Sequence, residues 1–248
     1  MNNKITLKDV KKTRDISKLP INMQIYGKIS PYVSYFFVRF IPLTPNEISF
    51  LWGIIGFLGI FFIGLGGYTN MVIGILIFHL ALFIDFIDGE VARATGNTTL
   101  GGTYLDRLFH YLHRALLLFA LGFGIWNVTG NEIYLYLGLW SSFILIFDNL
   151  SKLKVYETFV NHNKLDLLET SKDAYTSDGC QNYHGTFMQK VKAYAMELLR
   201  ANNVLSLLFF AIIFNFVEAY LILMAVVSPI FFTRNFINIW KRVGNIPS

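Results

Sequence analysis

Charge is scarce in this chain and cysteine almost absent. Only 15% of its 248 residues are Asp, Glu, Lys or Arg, against about 25% in an ordinary soluble domain. The lone Cys180 excludes an intrachain disulfide and says nothing of redox compartment. Residues Met1 to Arg14 are polar and lysine-rich without an apolar core, so no cleaved signal peptide is expected there. No internal repeat or low-complexity tract divides residues 1–248, which read as a single domain. In place of charge the chain has 54% hydrophobic and 17% aromatic residues, the balance of an integral membrane protein. Its net charge of +5 raises the question of nucleic acid. The basic residues flank apolar spans, however, which favours an orientation signal and attraction to anionic lipid over a nucleic-acid partner.

Six apolar spans can be drawn, at about 46–67, 70–93, 103–126, 132–155, 203–216 and 217–240. Most are close to the roughly 20 residues that cross a bilayer. Thr44-Pro45-Asn46 is a helix-start signal for the first, with proline suited to the opening turn. The last two spans are separated only by a short turn near Asn215 to Glu218. Residues 1–40 hold eight Lys or Arg, the loops near Gly67 and Asn127 none, and the stretches 152–200 and 241–242 are basic again. The positive-inside rule therefore predicts a multi-pass cell-membrane protein with both termini in the cytoplasm. The aromatic segment Pro31 to Ile41, too short to span and bracketed by Lys28 and Arg39, reads as an interfacial amphipathic helix. The layout is thus a cytoplasmic N-terminal segment (1–42), four helices (43–155), a polar cytoplasmic insertion (156–200) and two further helices (201–248). Within the insertion, Thr170 to Gly185 is loop-like and Thr186 to Arg200 has an amphipathic helical pattern.

The stretch from Asp85 to His110 is out of keeping with its apolar surroundings. Each carboxylate placed in a membrane helix costs on the order of 3 kcal/mol, so Asp85, Asp88 and Asp106 demand compensation, and bound cations supply it. Asp85 and Asp88 are three apart on one helix, Asp106 and His110 four apart on the next, so each pair shares a face. A short loop over about 94–102 makes the two helices an antiparallel hairpin, and both pairs converge at its cytoplasmic end. Gly89, Ala92 and Gly102 lack bulk where a ligand would approach the backbone. Arg93 offers a planar fork for phosphate.

Asp85, Asp88, Gly89, Ala92, Arg93, Gly102 and Asp106 stand in the spacing D-x2-D-G-x2-A-R-x8-G-x3-D-x3-D, with His110 in place of the last aspartate. This resembles the signature of the CDP-alcohol phosphotransferase family. The resemblance extends over most of residues 40–240, leaving 156–200 outside it. It implies a homodimeric six-helix fold with its active site at the cytoplasmic surface. It also implies transfer of a substituted phosphate from a CDP-alcohol, such as CDP-diacylglycerol, to a polar hydroxyl acceptor, with CMP released in phospholipid or related phosphodiester biosynthesis. One or two divalent ions, Mg2+ or Mn2+, would be held by Asp85, Asp88 and Asp106. Gly89, Arg93, Thr99 and Asn46 would contact the nucleotide.

His110 departs from that pattern at the position of the proposed general base. An imidazole, with an ordinary pKa of about 6.5, can accept a hydroxyl proton. It can equally serve as a metal ligand, in which case Mn2+ becomes more acceptable, or mark altered activity. Arg114, four residues on, suits either a phosphate on an anionic acceptor or an ion pair with Asp148. Lys152 and Lys154 are read either as the cavity mouth or as lipid-facing basic residues. His113 and His79 lie off the motif face and are expected to pack between helices. Glu90 and Arg107 are off it too, as partners at the cytoplasmic rim. The competing function is a catalytically silent protein of the same fold that binds lipid, nucleotide or a partner without transfer. An ion transporter is disfavoured because the carboxylates gather at one membrane face.

Overall fold

Helices account for every regular element among the residues that the computed structural model describes, which are 5–16, 19, 21–41, 43–162 and 201–244. Five helices are long and apolar enough to cross a membrane: Pro45–Leu65, Tyr68–Thr95, Leu100–Thr129, Glu132–Asn161 and Val217–Lys241. The fifth of the six expected spans is represented by Ala201–Ile213, 13 residues of helix. The amphipathic helix expected over 186–200 lies outside the described residues. The chain resolves into two compact units, Met1–His113 and Arg114–Ser248.

In the first unit, α1 (Leu7–Lys12) opens with a reciprocal cap: Thr6 Oγ1 accepts from the Asp9 amide and the Asp9 carboxylate accepts from the Thr6 amide. Those bonds to Thr6 hold the Asp9 carboxyl below its ordinary range. Lys11 ties α1 to α2 (Ile21–Phe40), donating to the Tyr32 hydroxyl at 2.9 Å. The helix expected to start at Pro31 begins ten residues earlier, with Pro31 inside it. Proline has no N–H to offer the Gly27 carbonyl. Packing carries the helix across that gap, since Gly27, Ser30, Pro31 and Ser34 are all buried. Ile25, Ile29, Tyr32, Phe36 and Phe40, spaced at helical intervals, are exposed along the other face.

The helix-start signal at Thr44 is realised as a capping box with Glu47 at the head of α3 (Pro45–Leu65). Gly66 and Gly67, both at φ 76°, reverse the chain into α4 (Tyr68–Thr95). The two helices run antiparallel so closely that a Cβ on Gly59 would lie 2.8 Å from the Gly74 carbonyl oxygen. Only glycine permits that approach of backbones. Ile48 of α3 and Ile87 and Val91 of α4 form a buried cluster that Val33 and Phe37 of α2 close over. Gly96, left-handed at φ 68°, ends α4, and Thr99 Oγ1 accepts from the Gly102 amide to start α5 (Leu100–Thr129). The loop expected over 94–102 therefore contracts to residues 96–99, and Gly102 lies in the first turn of a helix.

In the second unit, α5 meets α6 (Glu132–Asn161) through Gly122 and Gly138, where an added Cβ would meet backbone at 2.5–2.9 Å. Ser142 also donates to the Ala115 carbonyl at 2.6 Å. Residues 148–154 continue the same helix, which runs to Asn161. Helix α6 runs parallel to α8 (Val217–Val243), joined by Tyr134–Glu218, Trp140–Ala225 and Asp148–Asn235 hydrogen bonds in register. The turn expected near 215 is a Schellman closure: α7 (Ala201–Ile213) ends with left-handed Asn215, and the Phe216 and Asn215 amides donate to the Ala211 and Ile212 carbonyls.

Candidate active site

The first unit contains a cavity of about 360 Å³. Its lining comes from the segment after α1 (Arg14), the head of α3 (Pro45, Asn46, Ser49), the end of α4 (Asp85, Asp88, Gly89, Ala92, Arg93) and residues 97–110, including Thr99, Gly102, Asp106 and His110. The hairpin α4–α5 thus brings together the two pairs that helical spacing placed on common faces.

His110 Nε2 lies 3.4 Å from an Asp106 carboxylate oxygen and 3.6 Å from one of Asp85. One ligand atom from each of Asp85, Asp106 and His110 falls within 4.8 Å of the other two. Ligands about 2.1 Å from a hard divalent ion are separated by roughly 3.0 Å when adjacent and 4.2 Å when opposite. The 3.4 and 3.6 Å separations fall between those limits, so two carboxylates and one imidazole could hold a divalent ion. Asp88 lines the same cavity but is tied differently: the Ser49 hydroxyl donates to its carboxylate, and both residues are buried.

Trp52, three residues beyond Ser49 on α3, is fully buried beneath the cluster. Its ring stands 5.0 Å from that of His110, 5.2 Å from His113 and 5.5 Å from Phe109. His113 itself is buried, its Nε2 2.9 Å from the Gly53 carbonyl oxygen, which accords with a packing role. His79 likewise bridges helices, with Nδ1 2.5 Å from the Tyr26 hydroxyl of α2.

At the cavity wall, Thr99 donates to Asn46 Oδ1 at 3.0 Å, joining the heads of α3 and α5. The space that a Cβ on Gly102 would take is filled by that amide, 2.5 Å away. Gly89 serves similarly: an added Cβ would stand 3.1 Å from Arg93 Nη1 and 3.4 Å from Arg14 Nη2. Two guanidinium groups therefore meet over one glycine. The Arg14 group lies 4.3 Å above the Phe86 ring. Burial lowers its pKa from the ordinary arginine value, against which the nearby charges of Glu90 and Asp85 act.

Glu90, read from the sequence as a partner of Arg107 at the rim, is instead completely buried between α4 and α2, whereas Arg107 is exposed. Each Glu90 oxygen accepts a 2.7 Å hydrogen bond, from Ser30 and from Ser34. Sequence reasoning missed Arg14, Ser49 and Trp52. Arg14 did carry a signal, being the single arginine among the lysines of residues 1–38. Arg114 and Lys152 belong to the second unit. There Lys152 is engaged by Asp148, which also accepts from Asn235.

The family model for CDP-alcohol phosphatidyltransferase matches residues 42–160, a stretch that contains the whole motif. Residues 42–160 are similar to that family. The chain is 34% identical over 91 residues to an archaetidylinositol phosphate synthase of Pyrococcus horikoshii, covering 35% of this chain and 46% of that protein. It is 33% identical over 86 residues to a bifunctional IPC transferase and DIPP synthase of Aquifex aeolicus, covering 35% of this chain and 18% of that protein. The chain thus spans less than half the length of the curated relatives it matches. The phosphatidyltransferase match includes Arg93, Thr99 and Asn46 but not Arg14, which lies outside residues 42–160.

Proposed function

We propose that this chain transfers a substituted phosphate, phosphatidyl in kind, from a CDP-alcohol such as CDP-diacylglycerol to a hydroxyl acceptor and releases CMP. The convergence of Asp85, Asp106 and His110 in a cavity that also holds two guanidinium groups carries this reading. A diphosphate donor needs both features, cations for its charge and forked donors for its oxygens. When bound, a divalent ion would neutralise the diphosphate and the charge that develops on the departing CMP. Asp85, Asp106 and Asp88 are its proposed carboxylate holders, with Ser49 fixing the rotamer of Asp88. Arg93, Gly89, Thr99 and Asn46 line the nucleotide side.

His110 is the proposed proton acceptor for the attacking hydroxyl, its ring held in place by Trp52. The second reading, metal ligand, is favoured by the aim of Nε2 at the two carboxylates. The pH–rate profile and metal titration of His110→Ala separate them. A base leaves metal affinity intact and removes the acid limb of the profile; a ligand weakens the metal.

The words archaetidylinositol phosphate in the first relative's name support an anionic polyol acceptor. The distribution of Lys and Arg supports a cytoplasmic active site with both termini on that side, and the family resemblance supports a homodimer. The test is CMP release from CDP-diacylglycerol by the purified chain with Mg2+ or Mn2+, screened across polyols and polyol phosphates. Release with at least one acceptor is expected. Metal and CDP binding without turnover on any CDP-alcohol would leave the silent binding protein as the correct reading.

A further inference from the structure

Arg14 lies 71 positions before the start of the motif, yet its guanidinium reaches the motif's own glycine. Arg93 Nη1 and Arg14 Nη2 lie 3.1 and 3.4 Å from the same point above Gly89, so the two nitrogens are no more than 6.5 Å apart. Both side chains line the cavity that holds Asp85, Asp106 and His110. Like charges brought this close repel, and such an arrangement is stable when an anion accepts from both forks.

The neighbourhood also explains why Arg14 is presented here. Its guanidinium lies on the Phe86 ring, which fixes the plane of the fork. Glu90, Asp85 and Asp88 balance part of the charge, and both Glu90 oxygens already accept from Ser30 and Ser34. Helix α1, capped by Thr6 and Asp9 and tied to α2 by Lys11, ends at Lys12, and Arg14 follows two residues later. The N-terminal segment is thereby held as a wall of the cavity rather than as a free basic tail.

We propose that Arg14 is a substrate-binding residue, which with Arg93 clamps the diphosphate of the cytidine nucleotide donor over Gly89. This rests on the phosphotransferase reading. It adds a part of the active site that comes from outside the matched domain. Arg14 sets affinity for the diphosphate and leaves the cytosine and ribose contacts to other residues.

The experiment compares CDP and cytidine binding, in Mn2+, by the full chain and its Arg14→Gln variant, with Lys8→Gln as a control for bulk charge. Losing one charged hydrogen-bonding group should weaken CDP binding by about tenfold or more, with cytidine binding and the unfolding temperature unchanged. Arg14→Lys, which keeps charge without the fork, should fall between. Equal CDP affinity in wild type and Arg14→Gln would overturn the proposal and leave the enzyme reading standing. An equal loss in Lys8→Gln, or recovery of CDP affinity in Arg14→Gln/Glu90→Gln, would overturn it too, reducing Arg14 to diffuse charge or to a counter-ion. Absence of CDP binding by the wild-type chain would instead sink the phosphotransferase reading, and this proposal with it.

Discussion

Asp106 and Glu90 are both carboxylates in apolar helices, and their surroundings give them opposite roles. Asp106 faces a cavity, one of three convergent ligand atoms. Removing its charge in Asp106→Asn should weaken Mn2+ binding by at least about tenfold, since even residues behind a ligand have effects of that size. Isothermal titration of metal into the variant checks this. Glu90 is not among the residues lining that cavity, and its two oxygens accept from Ser30 and Ser34. Ser30→Ala or Ser34→Ala leaves a buried carboxylate oxygen without its donor, at a cost of about 1–3 kcal/mol. The expected result is a lower unfolding temperature and earlier proteolysis of α2, with metal affinity kept. Helix phase in the sequence put Asp106 on the motif face and Glu90 off it, and the cavity lining includes Asp106 without Glu90. What covers the off-face residue depends on α2, sixty positions away, and local periodicity holds no record of that.

At the scale of elements, the hairpin α4–α5 was legible because its two helices are consecutive and each is self-signalled. Gly96 and Thr99 stop one and start the other. The start of α2 was not, because proline at position 31 reads locally as a helix boundary and only tertiary packing overrides it. Ser49 and Trp52 were likewise invisible as site residues, and Arg14 showed only as a lone arginine among lysines, since each reaches the cavity or its floor from another segment. The α3–α4 pairing makes its own prediction. A Cβ in Gly59→Ala would lie 2.8 Å from both the Gly74 carbonyl oxygen and the Phe78 nitrogen, where only backbone can yield. Overpacking of this kind costs about 1–3 kcal/mol. Thermal unfolding in detergent should show it, and because Ser49 and Asp88 sit on the same two helices, CMP release should fall as well.

For the whole molecule the testable property is orientation. The single cysteine, Cys180, falls in the basic stretch that the positive-inside rule assigns to the cytoplasm. A membrane-impermeant maleimide should therefore label it in inside-out vesicles and not in intact cells; the reverse pattern would invert the topology. The five described spanning helices and the 13-residue α7 agree with an even number of crossings only if α7 belongs to a sixth. The in-register parallel course of α6 and α8 requires a return passage between them. The tight connection at residues 96–99 has a consequence for how this protein can change over evolutionary time. With so little slack, the angular phase of Asp106 and His110 relative to Asp85 is locked to residue count. One alanine inserted between Gly102 and Asp106 turns everything beyond it by about 100°, and metal binding should vanish while helix content measured by circular dichroism persists. Length drift is therefore forbidden inside this hairpin, whatever substitutions it accepts.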